Sequence, residues 1–332
     1  MLHCLLARAA EPGNANWLTR GYFTMQDRRS WAESPCSLLE SARVEDGCAG
    51  IELRNESTRM AAGASMPKRT EEQLATAKRM IKAIKKSAEQ NTTSGLTFHD
   101  ILSLLTWVEP VFAAQPMLIE VAPPVTLCGD VHGQVADVVR LFNDHGWAPQ
   151  TRFLFLGDYV DRGPNSIDTI VLLLALKFRF PDDVFLLHGN HETKPANAVY
   201  GLKGDLLQQY PRGPGPDGKP ADYGLALWQT FNSLDQIRVK RPLTKMPETG
   251  LEADLLWADP SDTAKGFSRS PRGASYTFGK GAVKKACEDL QLDMICRAHQ
   301  AVKDRFEFFA DGILITLSQL QTTTTSTPTT GA

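Results

Sequence analysis

Three short apolar runs, Val125–Cys128, Phe153–Leu156 and Val184–Leu187, each predict a buried strand, and each stops at a glycine-containing turn. Between them lie two longer stretches with helical spacing. One is Gln134–His145, apolar at Val135, Val138, Val139 and Phe142, and the other is Ser166–Phe178. Upstream, Leu74, Ala77, Ile81 and Ile84 form one stripe, opened by the capping-box arrangement Thr70-Glu71-Glu72-Gln73. Lys78, Arg79, Lys82, Lys85 and Lys86 fill the rest of that helix and read as a solvated face. A second helix is expected over Phe98–Phe112, with Pro110 near its end. Downstream, Leu225–Leu234 and Ala282–Leu290 read as helices, Asp293–Cys296 and Ile313–Leu317 as strands, and Pro211–Gly224 as a loop. Strands alternating with helices predict an α/β fold whose polar residues gather at the C-terminal ends of the strands. Residues 1–65 lack sustained periodicity and are expected to be disordered. The folded domain is expected over 66–317, and the Thr-rich tail, 318–332, to be disordered again.

Composition narrows this picture without changing it. The chain has 332 residues, 42% of them hydrophobic, enough for a sizeable core. Its 36 basic and 38 acidic residues leave a net charge of -2, so no electrostatic case for nucleic acid or an anionic membrane follows. The apolar stretch Ile170–Leu176 is far too short to span a bilayer, and Met1–Ala10 lacks the regions of a signal peptide. Six scattered cysteines without a Cys-x-x-Cys pair argue for reduced thiols and an intracellular setting, cytoplasm or nucleus.

The chemistry sits where the three strands end. The first run leads into Cys-Gly-Asp-Val-His-Gly-Gln (Cys128–Gln134), the second into Gly-Asp-Tyr-Val-Asp-Arg-Gly (Gly157–Gly163), the third into Gly-Asn-His-Glu (Gly189–Glu192). Asp130 and His132, two apart, can point the same way; Asp158 can supply a bridging oxygen and Asn190 a neutral one. His299, in Arg-Ala-His-Gln, reads either as a later imidazole ligand or as a core histidine. Carboxylate, imidazole and amide donors at one sheet edge form a two-metal layout, in which cations roughly 3.5–4 Å apart activate water and polarise a phosphoryl group. Arg162, Arg272 and Asn190 suit phosphate oxygens. His191 suits general acid work, oriented by Asp161. His99 and His145, in helices, read as structural or exposed; His188 could approach the site but reads as a packing residue.

These residues resemble the catalytic domain of the PPP-type serine/threonine protein phosphatases, nearest the type-one branch. The likeness runs from about Met66 to Leu317. It includes Ala114–Met117, the three motifs, Trp228–Leu234, Asp254–Trp257, Arg272-Gly273, Ile295–Gln300 and Phe306–Phe309. It implies a metallophosphoesterase-type central β-sandwich flanked by helices. It also implies two divalent metal ions (manganese, iron or zinc), phosphoserine and phosphothreonine proteins as substrates, and separate regulatory subunits. Phe308 and Met294 match positions that line the family's groove for short hydrophobic docking motifs.

The chain departs from the family twice. After the Phe-Asn-Ser-Leu element the family carries two strands with a His-Gly-Gly-Leu-Ser-Pro motif whose His is a metal ligand. Here Leu234 runs directly into Asp235, so the second metal site is expected to be weakened and sheet strands to be missing, leaving exposed edges. At the other end, a Ser-Ala-Pro-Asn-Tyr motif is replaced by Ser318-Gln319-Leu320-Gln321 and threonines. Shifted by one nucleotide, the codon junctions from Leu317 to Thr323 permit Phe, Ser, Ala, Pro, Asn and Tyr in order, which points to a frame shift. Three functional readings follow: an active phosphatase, a catalytically impaired pseudophosphatase that binds proteins, and an incomplete version of an active enzyme.

Overall fold

The computed structural model describes residues 4–7, 22–23, 66–116, 118–215, 218–238 and 250–318. Two strands come first, β1 (Cys4–Ala7) and β2 (Tyr22–Phe23); these are the described parts of the segment expected to be disordered, and the rest of it lies outside the described residues. Helix α1 (Glu71–Gln90) opens with the expected capping box at Thr70 and closes on Asn91 in the left-handed conformation. Helix α2 (Phe98–Ala113) has a second capping box, Thr97 with Asp100.

Then come the three motif-bearing units: β3 (Thr126–Cys128) and α3 (Val135–His145), β4 (Phe153–Phe155) and α4 (Ser166–Arg179), β5 (Val184–Leu186) and α5 (Lys194–Tyr200). Helix α6 (Leu202–Gln209) follows. The stretch expected to be a loop instead folds as a hairpin, β6 (Arg212–Pro214) against β7 (Pro220–Asp222), leading into α7 (Tyr223–Arg238). Tyr223 explains the hairpin. Its ring lies against Gly213, its hydroxyl donates to the Pro214 carbonyl (2.8 Å), and it stacks on Phe98 at 4.1 Å. The remaining elements are α8 (Leu251–Trp257), β8 (Asp259–Pro260), β9 (Phe267–Arg269), β10 (Tyr276–Phe278), α9 (Lys280–Leu290), β11 (Met294–Arg297), β12 (Phe306–Phe309) and β13 (Leu314–Leu317).

Two four-stranded sheets carry the site. One has the order β2-β3-β4-β5 and the other β1-β11-β13-β12. Strands β3, β4 and β5 are parallel and in step, with Leu127 beside Leu154 and Leu154 beside Phe185. Side chains alternate between faces along a strand. Leu127, Leu154, Phe185 and Leu187 therefore meet Met294, Cys296, Ile315 and Leu317 of the other sheet in a slab between the two. Phe153, Phe155 and Cys128 face the opposite way, into the larger core beneath α1, α2, α3, α4, α6 and α7. Val283 and Cys287 of α9 cover the outer face of the second sheet at Phe309 and Leu314. The result is helices, sheet, sheet, helix. Strand β1 lies antiparallel on β11 and β2 antiparallel on β3, so residues from the start of the chain cover one edge of each sheet. Between α7 and α8 only Gly250 lies within the described residues, so the expected loss of strands there falls outside them.

Candidate metal centre

The parallel strands deliver Asp130, His132, Asp158, Asn190 and His191 to one end of their sheet. The loops after β3 and β4 are stitched together by backbone: the Asp158 carbonyl accepts N–H bonds from Val131 (2.9 Å) and His132 (2.8 Å), and Tyr159 accepts from Gly133 (2.9 Å). The loop after β5 is tied in by Glu192, whose buried carboxylate accepts from Asp158 N–H (2.8 Å), Tyr159 N–H (2.8 Å) and Gly189 N–H (2.9 Å). Sequence reasoning assigned Glu192 no role. Its place in the third motif, directly after the candidate residues, was the available signal. A Cβ at Gly163 would collide with the His132 carbonyl, and one at Gly189 with Asp158, so both turns require glycine.

The tightness shows in the dihedrals. His132, Asp158, Asp161, Arg162 and His299 all have positive φ, at 44, 52, 70, 65 and 77°. Each such residue costs about 1–2 kcal/mol. This conformation persists because the surrounding bonds over-determine it.

His132 is buried and its Nδ1 lies 2.9 Å from the Val160 carbonyl, so Nδ1 carries the proton and Nε2 keeps its lone pair. Burial pushes its pKa down to about 4, against the upward pull of Asp158, and the ring is neutral at pH 7. Nε2 stands 3.9 Å from Asp158 Oδ2. His132, Asp158 and His191 offer donor atoms within 4.8 Å of one another, a spacing that could hold a metal ion. The other sheet adds His299, whose N–H donates to Asp130 Oδ1 (3.0 Å) and whose Nδ1 lies 2.8 Å from Asn190 Oδ1. His299 is thus bonded, through its backbone N–H and its ring, to two of the candidate ligands. Trp257 packs edge-on against its ring at 5.4 Å.

His191 has different partners. Its Nδ1 lies 2.8 Å from Asp161 Oδ2, and its Nε2 3.0 Å from Arg162 Nη2. Arginine can only donate, so Nε2 accepts and Nδ1–H donates to the carboxylate. The other oxygen of Asp161 accepts the N–H of Leu202, at the start of α6, at 2.9 Å. His191 stands edge-on to His132 at 4.7 Å, within the donor spacing of the group but with its Nε2 lone pair already engaged by Arg162.

Arg272 does not join Arg162. Its Nε donates to Asp259 Oδ2 at 2.6 Å, and the other oxygen of Asp259 accepts from Arg297 Nη2 at 3.0 Å. Arg272 thus connects to the centre through Asp259 and Arg297, two residues before His299. Sequence reasoning overlooked Asp259 and Arg297. Of the two expected groove residues, Met294 is fully buried in the intersheet slab and only Phe308 reaches the surface, edge-on to Phe306. His188 is buried at the end of β5, as expected for packing.

A family model described as calcineurin-like phosphoesterase matches residues 123–303, which include Asp130, His132, Asp158, Asn190, His191 and His299. The chain belongs to the calcineurin-like phosphoesterases. This family is metal-dependent, and the buried His/Asp/His group fits that chemistry by donor type and spacing. Among solved structures the chain is similar to a protein serine/threonine phosphatase from Saccharomyces cerevisiae described as similar to human phosphatase PP5. The two are 26% identical with a TM-score of 0.57, over 67% of this chain and 77% of that one. Among the described residues no helix is long and apolar enough to cross a membrane.

Proposed function

We propose that this phosphoesterase is a metal-dependent phosphoprotein phosphatase acting on phosphoserine and phosphothreonine. The observation that carries the reading is the His191–Asp161 pair at 2.8 Å with Arg162 on the far nitrogen, set beside the ligand group. Asp130, His132 and Asp158 would hold one divalent cation, and Asp158, Asn190 and His299 would hold a second, more weakly, because the family's further imidazole has no counterpart here. Manganese, iron and zinc all suit these donors. When bound, the pair supplies Lewis acidity to the phosphate and lowers the pKa of water.

The chain's own residues do the rest. Arg162 and Asn190 bind the phosphate oxygens and orient the ester for in-line attack. As the water oxygen bonds to phosphorus, the bond from phosphorus to the serine or threonine oxygen breaks, and that oxygen needs a proton. His191 delivers it from Nε2. Asp161, on Nδ1, holds the tautomer and stabilises the imidazolium that precedes transfer. Before that transfer Arg162 has turned from Nε2 to the phosphate and Nε2 has taken up a proton from solvent, and the proton lost by the attacking water returns to solvent, so the step balances. Arg272 completes the cradle if the phosphate draws it from Asp259. Proteins are the substrates, and regulatory subunits would meet the exposed Phe308.

Two observations favour a second reading, an impaired phosphatase that binds proteins without turnover: Arg272 is committed to Asp259, and no histidine lies between Leu234 and Leu251 to replace the missing ligand. Metal analysis combined with phosphopeptide turnover by the purified full chain separates the two. Two equivalents of manganese with turnover are expected. One equivalent in a folded, inactive protein establishes the second reading instead.

A further inference from the structure

The geometry points to the outer edge of β11 as a strand-binding site, and we propose that its ligand is this chain's own segment Cys4–Ala7. Strand β11 pairs with β13 on one side, in parallel. On the other it takes β1, antiparallel, with Cys4 opposite Arg297, Leu5 opposite Cys296, Leu6 opposite Ile295 and Ala7 opposite Met294. Met294 and Cys296 are fully buried, so this edge belongs to the core of the sandwich rather than to a solvated rim. A strand edge backed by buried apolar residues is a template for another strand unless something covers it. Here the cover is a segment of the same chain that is remote in sequence.

The arrangement has the properties of a docked peptide. Only residues 8–21 separate β1 from β2, which pairs with β3 through two residues, Tyr22 and Phe23. A four-residue strand offers too few backbone bonds to hold tightly by itself. Tethered, it acts at an effective concentration on the order of millimolar, so occupancy in cis requires no high intrinsic affinity. The edge also runs into the site. Arg297, opposite Cys4, bonds Asp259, and two residues later the His299 N–H bonds Asp130. Docking of β1 thus steadies the stretch of β11 from which both residues depart. The specificity is for an extended, antiparallel peptide, read through main-chain bonds.

The register supplies a test in the intact chain that is independent of catalysis. In a Cys4→Ser background, Leu5→Cys would face native Cys296 across an antiparallel pair, within the Cα separation a disulfide accepts. Mild oxidation followed by peptide mass mapping should find residue 5 joined to Cys296. Leu6→Cys in the same background is the control, because neighbouring positions on a strand face opposite sides, and roughly tenfold less cross-link is expected. A native-like chain showing no cross-link from position 5, or equal cross-linking from position 6, overturns the proposal. Occupancy is tested in trans. In the full-length double variant Leu5→Pro, Leu6→Pro one of the two lost N–H groups must belong to the ladder, whichever way they alternate. A fluorescein-labelled peptide of residues 1–9 should bind this variant about tenfold or more tighter than the unmodified chain, where the tethered strand competes. Equal binding to both chains overturns the cis occupancy.

Discussion

The two sheets that meet at the centre are built on different principles. The first draws β3, β4 and β5 from one continuous stretch of chain, and its three ligand-bearing turns brace one another through Glu192 and the carbonyls of Asp158 and Tyr159. The second is assembled from both ends of the described chain, residues 4–7 and 294–317, and contributes His299 and, through Asp259, the link to Arg272. Although β2 also comes from the start of the chain, Glu192 braces the first half across at most 34 residues, whereas the His299–Asp130 bond of the second spans 169. Chemistry that depends on the first half should therefore tolerate damage to the second better than the reverse.

The largest effect should come from the first half. Replacing His191 with Asn should lower kcat by about 10²–10⁴-fold while leaving metal content and thermal stability close to unchanged. Steady-state kinetics on a phosphopeptide, with metal analysis of the same sample, checks this. A variant that lost metal as well would place His191 among the ligands and break the distinction between the two groups. Glu192→Gln should come next. Its amide would turn N–H groups toward the donors of Tyr159 or of Asp158 and Gly189, leaving buried groups unsatisfied at a cost of roughly 2–4 kcal/mol. Urea unfolding would show it, and a wild-type midpoint would mean the three turns do not depend on this brace.

Asp259→Asn probes the second half. It weakens the link between Arg272 and Arg297, and about 1–2 kcal/mol of stability should be lost. Arg272, now less restrained, should be freer to meet the phosphate, so KM should fall or hold rather than rise. A large rise in KM would show that Asp259 is needed to aim Arg272. The gentlest probe is pH. His132 has its pKa lowered to about 4 in the fold from an ordinary value of 6.5, chiefly by burial. Between those values the unfolded chain takes up the proton more readily, so stability rises with pH across the window and this contribution is flat above 6.5. The urea midpoint of the chelator-treated chain should be lower at pH 5 than at pH 7, and the difference should shrink in His132→Gln.

This asymmetry also explains what could be read from the residues alone. The strands of the first sheet, their helices and the Thr70 capping box were legible because apolar runs and turn residues adjoin in the chain. Asp130, His132, Asp158 and Asn190 were legible because each stands a few residues past a strand. Strands β1 and β2 were not, since four-residue and two-residue pieces carry no periodicity and their pairing partners lie more than a hundred residues away. The hairpin β6–β7 hid behind glycine and proline, which mark a turn but not what holds it; Tyr223 does that. Arg272 was assigned to phosphate because its charge is visible in the sequence, whereas its engagement by Asp259 depends on folded geometry.

The slab between the sheets has one more consequence. Leu127, Leu154 and Leu187 on one side, and Cys296, Ile315 and Leu317 on the other, are nowhere among the polar groups of the centre. Yet their combined thickness sets the gap between the strand ends carrying Asp130 and Asn190 and the strand end carrying His299. Packed sheets stand about 10 Å apart, and close-packed interiors pass on a change of even one methylene. The slab therefore works as a gauge block. A chain of this family could retune the spacing of its ligands, and with it the cation it prefers, by exchanging one aliphatic residue for another deep in the sandwich, without altering any residue that touches the cation.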